Sequence, residues 1–121
     1  MLKHVEKWMP EESCGLIGGR GDYAMEIIPV TNSLHSPDRF LMDGAEQLKA
    51  FLSLESKELE LVGIFHSHPY GSEALSETDL QDFAYPGTVQ VIWSGYKGNW
   101  QVRGYCIQDK GYRHVPLRWT M

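Results

Sequence analysis

The sequence predicts one α/β domain in which a mixed β-sheet is flanked by helices. Apolar runs of strand length alternate with stretches of helical periodicity, and glycine, proline and asparagine clusters separate them. The 121 residues have the size of one ordinary domain. The hydrophobic content of 42% is typical of a globular chain. We therefore expect residues 1–121 to form a single domain.

The N-terminal region predicts a short helix followed by a β-hairpin. Residues 2–9 have amphipathic helical spacing and end at Pro10, with an expected apolar face of Leu2, Val5, Trp8 and Met9. The runs CGLIGG and YAMEIIPV are typical of strands. The turn Arg20-Gly21-Asp22 between them predicts that the two strands pair as a hairpin.

A second helix follows an irregular segment. TNSLHSPD is rich in turn-forming residues, and we expect RFLMD to be a short extended piece. Asp43 stands where a helix N-cap belongs, ahead of GAEQLKAFLSLESKE. The positions of this segment that follow helical spacing are Ala45, Leu48, Phe51, Leu52 and Glu55.

The remaining segments predict four strands and a third helix. ELELVGIFHSH becomes fully apolar over residues 61–65, which is typical of a central strand buried on both faces. After the loop PYGSEAL, SETDLQDFAY predicts a helix that ends at Pro86-Gly87. TVQVIWS, NWQVRGYCI and YRHVPLR then predict three strands with glycines at the turns between them.

Composition and charge exclude several classes of function. The net charge of −5 without a basic stripe argues against nucleic-acid binding and against docking on anionic membranes. No apolar run is long enough to span a bilayer, and MLKHVEKWMPEES lacks the pattern of a signal peptide. Cys14 and Cys106 are too few for a disulfide framework, so we expect small buried side chains and a cytoplasmic location.

The segment His66-Ser67-His68-Pro69 offers a pair of metal ligands. Residues two apart on a strand point to the same face, so both imidazoles can reach one point. Pro69 favours extended geometry at His68 and ends the strand. An H-x-H pair alone is weak evidence for a metal site, because many such pairs are solvated strand residues.

Asp79, in the first turn of the third helix, is the candidate third ligand. Two histidines and a carboxylate leave one tetrahedral position for water, which is the arrangement of catalytic zinc sites. Ser76-Glu77-Thr78-Asp79 also has the pattern of a helix capping box, and the two interpretations are compatible. Glu12, just before the CGLIGG strand, could act as a base, although spacing alone favours Glu11-Glu12 as solvated carboxylates.

These motifs occur together in the JAMM, or MPN-plus, metalloprotease family, which this sequence resembles. That family has a glutamate upstream of a C-G-L-like strand, then H-[ST]-H-P, six residues and S-x-x-D. PEESCGLIGG and HSHPYGSEALSETD supply each element in order: Glu12, His66, Ser67, His68, Pro69, Ser76 and Asp79. The resemblance implies a JAB/MPN domain of cytidine-deaminase-like architecture.

The resemblance also implies roles for the residues. His66, His68 and Asp79 would bind Zn²⁺, Glu12 would be the general acid and base, and Ser76 would help to stabilise the tetrahedral oxyanion. Of Glu11 and Glu12, the resemblance selects Glu12, because it lies three positions before Gly15, where the family glutamate falls.

The nearest branch resembles small prokaryotic JAB enzymes that cut after the C-terminal Gly-Gly of ubiquitin-like or sulfur-carrier proteins. The chain is close to the minimal length and has no room for the insertions that clasp ubiquitin in eukaryotic members. We expect the tail to bind at a sheet edge near RFLMD. Two alternatives remain: a catalytically silent binding module, and a zinc hydrolase of a small-molecule amide, although the P-C-x-x-C element of deaminases is absent. The oligomeric state is not predicted.

Overall fold

Helices and strands alternate along the chain. A computed structural model describes residues 1–71, 75–81, 87–96, 99–108 and 111–118. Within these ranges the helices are α1 (Leu2–Lys7), α2 (Gly44–Ser56) and α3 (Glu77–Gln81). The strands in the same ranges are β1 (Cys14–Arg20), β2 (Tyr23–Val30), β3 (Glu60–His68), β4 (Val89–Tyr96), β5 (Asn99–Gln108) and β6 (Gly111–Val115). None of the described helices is long and apolar enough to cross a membrane.

The described strands form one mixed sheet in the order β2-β1-β3-β4-β5-β6. Only β3 and β4 run parallel, as expected of two strands with a helix between them in the chain, and the other neighbours are antiparallel. The central position of β3 matches its composition, because residues 63–68 are all buried. The predicted α/β domain with a mixed sheet is confirmed.

The predicted hairpin forms between β1 and β2. Its tight turn needs a residue with positive φ, and Gly21 supplies it with φ of +57° at no steric penalty. The pairing runs from Arg20 opposite Tyr23 to Cys14 opposite Val30.

The sheet has an apolar core on each face because successive side chains of a strand point to opposite sides. The face covered by α2 includes Cys14, Leu16, Val30, Met42, Ala50 and Ile64. The opposite face, covered by α1, includes Val5, Ile17, Phe65, Val91 and Trp93. Beside the first of these cores, Leu75 and Leu80 near α3 pack with Ile92 and Tyr105 of β4 and β5.

The helices bury fewer of their apolar residues than the spacing predicts. In α1 only Val5 is buried. In α2 the buried residues are Ala50 and Leu54, whereas Leu48 and Leu52 are 61% and 58% exposed. Helical periodicity identifies a stripe of apolar residues but not the rotation at which a helix meets its sheet, so of the α2 residues at helical spacing only Phe51 packs, partly buried, against the core.

Three other predictions have different outcomes. RFLMD is not a strand: within it only Met42 makes a bridge, to Asn32. That the substrate tail binds at a sheet edge near this segment stays a prediction. The last strand ends at Val115, because Pro116 has no N–H to donate. The third helix begins at Glu77 as predicted, and its expected extension over residues 82–85 lies outside the described residues.

Both cysteines are free thiols. Cys14 is buried and Cys106 is half-buried. The prediction of a small buried side chain is therefore confirmed for Cys14 and only approximate for Cys106.

Candidate metal centre

The antiparallel pairing of β1 and β3 brings the first three site residues together. Cys14 lies opposite His66 in this register, and Glu12 and His68 each lie two residues beyond this pair. These side chains share the sheet face that α2 covers, since they alternate with residues of the opposite face.

Two buried serines, Ser13 and Ser67, also hold the ends of β1 and β3 together. Ser67 donates its backbone N–H to the Ser13 carbonyl at 3.0 Å, and the Ser67 hydroxyl accepts the Ser13 backbone N–H at 2.8 Å. Their hydroxyl oxygens are 3.1 Å apart in a fully buried environment. This contact fixes the register at the position where the site is built, a role that the sequence alone did not indicate for Ser13.

Asp79 reaches the two histidines from the first turn of α3. Its backbone N–H donates to the Ser76 hydroxyl at 3.0 Å, and the Ser76 N–H donates to Asp79 Oδ2 at 2.8 Å. This reciprocal pair is the predicted capping box. The same Oδ2 atom is 3.0 Å from His68 Nε2, so the cap and the approach to the histidines coexist in one carboxylate.

The donor atoms converge on one point. The Nε2 atoms of His66 and His68 are 3.1 Å apart, and His66 Nε2 is 3.2 Å from Asp79 Oδ1. With Glu12, the four possible ligand atoms all lie within 4.8 Å of one another. Zinc bonds of about 2.0–2.1 Å place neighbouring ligands roughly 3.4 Å apart at a tetrahedral centre. The observed separations are close to that value, so the two imidazoles and the Asp79 carboxylate fit a divalent metal ion.

The protonation states also suit a cation. Burial lowers the pKa of His66, which favours the neutral imidazole that metals bind. Burial alone would raise the pKa of Asp79, but hydrogen bonds with His66 and His68 outweigh it and lower the pKa below its ordinary value. Asp79 therefore carries the negative charge in this cluster.

Glu12 differs from Asp79 in its electrostatic environment. Burial raises its pKa to about 8; His68 opposes this rise, whereas Asp79 and Asp38 add to it. Its Oε1 atom is buried and has no hydrogen-bond partner among the described residues. A buried carboxyl group that has an oxygen without a hydrogen bond and lies beside a cluster of ligands is suited to accept a proton from a bound molecule.

Glu11, the neighbouring carboxylate, lies at the surface. Its Oε1 atom accepts a hydrogen bond from His35 Nδ1 at 2.8 Å. The structure thus brings Glu12 into the cluster and leaves Glu11 outside it.

Ser76 lies at the rim of the cluster and is half-buried. Its hydroxyl oxygen accepts the Asp79 N–H, which leaves the hydroxyl proton able to donate to another group.

Phe40 is a site neighbour that the sequence analysis missed. Its ring stacks on the His66 imidazole with centroids 4.7 Å apart and an interplanar angle of 27°. Phe40 belongs to the RFLMD segment, where nothing in the local pattern indicates an inward contact with a residue far along the chain.

Comparison with known proteins identifies a matching family and several relatives of this chain. A family model described as prokaryotic homologues of the JAB domain matches residues 1–106. A CysO-cysteine peptidase of Mycobacterium tuberculosis is 30% identical over 120 residues, covering 97% of this chain and 82% of the relative. A desampylase of Pyrococcus furiosus is 44% identical over 100 residues, covering 82% of this chain and 69% of the relative.

Solved structures agree with these matches. A solution structure of a protein from Desulfitobacterium hafniense has a TM-score of 0.85 at 30% identity and covers 95% of this chain and 82% of its own. A crystal structure of a JAB1/MPN domain protein from Archaeoglobus fulgidus has a TM-score of 0.60 at 25% identity, with coverage of 96% and 86%.

Proposed function

Because the chain belongs to the family of prokaryotic homologues of the JAB domain, we propose that it is a zinc-dependent metallopeptidase of the JAMM type. Its substrate is a ubiquitin-like or sulfur-carrier protein, cut at the peptide or isopeptide bond after the C-terminal Gly-Gly. The observation that carries this proposal is the convergence of Glu12, His66, His68 and Asp79. The whole chain, residues 1–121, is the JAMM/MPN-plus domain in this proposal.

His66, His68 and Asp79 are the proposed metal ligands. Two neutral imidazoles and one carboxylate leave a coordination position open, as catalytic zinc sites require. When bound there, zinc would act as a Lewis acid and make hydroxide available near neutral pH. The capping box holds the Asp79 carboxylate in place, and the β1–β3 register holds the histidines.

Glu12 is the proposed general acid and base. Its carboxylate accepts the proton of the attacking water and then delivers it to the leaving amine. The burial that raises its pKa to about 8 makes it a stronger base than a solvated glutamate, and a cation bound by the neighbouring ligands would favour the ionised form. The Ser76 hydroxyl donates a hydrogen bond to the oxyanion that develops on the scissile carbonyl, a contact worth roughly 3 kcal/mol.

The substrate class is supported by the names of the relatives, a CysO-cysteine peptidase and a desampylase. A Gly-Gly tail has no side chains, so it can approach a buried metal site along a narrow path. A cytoplasmic location is part of the same proposal and is supported by the free thiols of Cys14 and Cys106.

Metal removal tests the ligand set. We expect about one zinc per chain by elemental analysis. We expect peptidase activity to disappear with a chelator and to return with added zinc. His66→Ala/His68→Ala should lose both metal and turnover. The matched control is His114→Ala, which removes an exposed histidine of β6 outside the cluster and should keep both.

Full zinc content in the His66→Ala/His68→Ala variant would contradict this ligand set. Turnover that persists in the chelated protein would contradict a metal-dependent reaction.

A further inference from the structure

The main chain of Glu12 is held from outside the sheet. Its N–H donates to the Ser36 carbonyl at 2.7 Å. Its carbonyl accepts from the side-chain amide of Asn32 at 2.9 Å. Both partners belong to residues 31–43, the segment between β2 and α2, which we call the Asn32 loop. The direction in which Glu12 projects therefore depends on this loop as well as on β1.

Asn32 is the centre of the loop's hydrogen bonds. The residue is 6% exposed, and its Nδ2 also donates to the Arg39 carbonyl at 3.0 Å and to the Ser36 carbonyl at 3.5 Å. Its Oδ1 accepts the backbone N–H groups of Leu34 and Leu41, both at 3.1 Å. An amide side chain offers two donor protons and an acceptor oxygen at one position. Aspartate at neutral pH would lose the donors, and alanine would lose both.

Backbone hydrogen bonds join the two ends of the Asn32 loop, and the loop makes a second contact with the site. Ser33 donates its N–H to the Leu41 carbonyl at 2.8 Å, and Asp43 donates to the Thr31 carbonyl at 2.9 Å. Within the loop that these bonds close, Phe40 stacks on His66. One side chain, Asn32, therefore connects the closed loop with Glu12.

We propose that Asn32 is a positioning residue for the peptidase reaction: through five backbone partners it holds the Glu12 main chain so that the carboxylate faces the metal ligands. This inference rests on the proposed function. Asn32 touches no reacting atom and acts through Glu12. A misplacement of the base by about 1 Å can lower a rate about a hundredfold, so a hydrogen-bond network of this kind affects catalysis beyond its contribution to folding.

Two variants and one matched control separate positioning from stability. Asn32→Asp keeps the shape and the acceptor but faces three carbonyls without a donor, and Asn32→Ala removes the whole network. The control is Gln90→Glu, the same change of amide to carboxylate at a residue 6% exposed. Gln90 donates to the Thr88 hydroxyl at 3.2 Å and, among the described residues, makes no hydrogen bond to the cluster.

The first measurement is independent of activity. Hydrogen exchange of the Glu12 amide reports its bond to Ser36, and the Ser67 amide, bonded to Ser13, is an internal reference. We expect the Glu12 amide to exchange at least about tenfold faster in both Asn32 variants, while the Ser67 amide keeps its protection. Unchanged protection of the Glu12 amide would overturn the proposal.

The second measurement is steady-state cleavage of a small ubiquitin-like carrier whose Gly-Gly is extended by one residue. With zinc content equal to wild type, we expect kcat of Asn32→Asp and Asn32→Ala to fall about a hundredfold with little change in KM. Gln90→Glu should lower the melting temperature but keep kcat. Equal kcat in wild type and Asn32→Asp, or equal losses in Asn32→Asp and Gln90→Glu, would overturn the proposal.

The milder variant Asn32→Ser retains a hydroxyl, and its kcat should fall in the same way if the other two do not fold. If no Asn32 variant folds, the residue is a requirement of folding and the positioning claim is wrong. An inactive wild-type enzyme would count against the proposed function alone, because the exchange measurement would still decide on Asn32.

Discussion

The two adjacent glutamates illustrate how burial separates chemically identical residues. Glu12 is 3% exposed and its carboxyl lies in the ligand cluster, whereas the Glu11 carboxylate pairs with His35 at the surface. Burial raises the pKa of the Glu12 carboxyl to about 8.

Replacing Glu12 by glutamine should abolish turnover without loss of metal. Glutamine keeps the size of the side chain but cannot accept a proton, and loss of one general base lowers a rate by ~10²–10⁴. Steady-state kinetics with elemental analysis would measure both effects. Glu11→Gln is the matched control and should retain wild-type kcat. An inactive Glu11→Gln beside an active Glu12→Gln would show that the roles are assigned to the wrong glutamate.

The candidate site was largely predictable from sequence because its motifs are local. His66 and His68 lie two apart on a strand, and Ser76 and Asp79 form a capping box, so spacing alone indicates their geometry. The choice of Glu12 came only from the family resemblance. The buried role of Asn32 was not predictable, since asparagine in a turn-rich segment has the same pattern whether it is solvated or fully bonded.

At the level of helices and strands, turn and capping residues predicted the structure better than apolar periodicity did. The hairpin turn and the Asp43 N-cap were predicted correctly, and Asp43 Oδ2 accepts the Glu46 N–H at 2.9 Å. The buried faces of α1 and α2 were not, because Leu48 and Leu52 recur at helical spacing but project into solvent. Which face a helix buries depends on contacts with distant strands, which no local window contains.

Helix α1 gives the fold a specific dependence on pH. His4 Nε2 lies 3.2 Å from the Cys14 carbonyl, and burial lowers the pKa of His4 below its ordinary value of 6.5. As pH falls below 6.5, the unfolded chain takes up this proton before the folded protein does, so the contribution of neutral His4 to the free energy of unfolding is lost.

Chemical denaturation of wild type and His4→Gln over a pH series tests this dependence. Glutamine can donate to the same carbonyl but does not titrate. The difference in unfolding free energy, wild type minus variant, should be constant above pH 6.5 and should decline below it. A difference that is flat across the series, or that grows in acid, would contradict the account.

Close packing around Gly15 in strand β1 leaves no space for a side chain. A Cβ there would lie 2.3 Å from Phe65 Cε1 and 2.6 Å from the Ile28 carbonyl oxygen. We expect Gly15→Ala to lower the free energy of unfolding by about 1–3 kcal/mol, because a backbone atom cannot move aside as a side chain can.

Gly44→Ala is the matched control, since a Cβ at Gly44 meets nothing within 4 Å of it. Denaturation curves of the two variants should differ clearly, with Gly44→Ala near wild type. Equal stabilities would show that Gly15 is not close-packed.

For the whole molecule, the topology brings distant parts of the sequence to one place. The β1–β3 register supplies Glu12 beside the histidines, and the chain between β3 and β4 contains Asp79. The α/β class and the central position of β3 were predictable from composition. The strand order was not, because it depends on pairings between segments far apart in the chain.

The most direct test of the account is intact-mass spectrometry of a small ubiquitin-like carrier, with its Gly-Gly extended by one residue, after incubation with zinc-loaded protein. We expect one product that ends at Gly-Gly. The same carrier with its last glycine changed to valine should be cut about a hundredfold more slowly, because a side chain beside the scissile bond displaces the carbonyl. An uncut carrier, or equal cleavage of both carriers, would contradict the central claim.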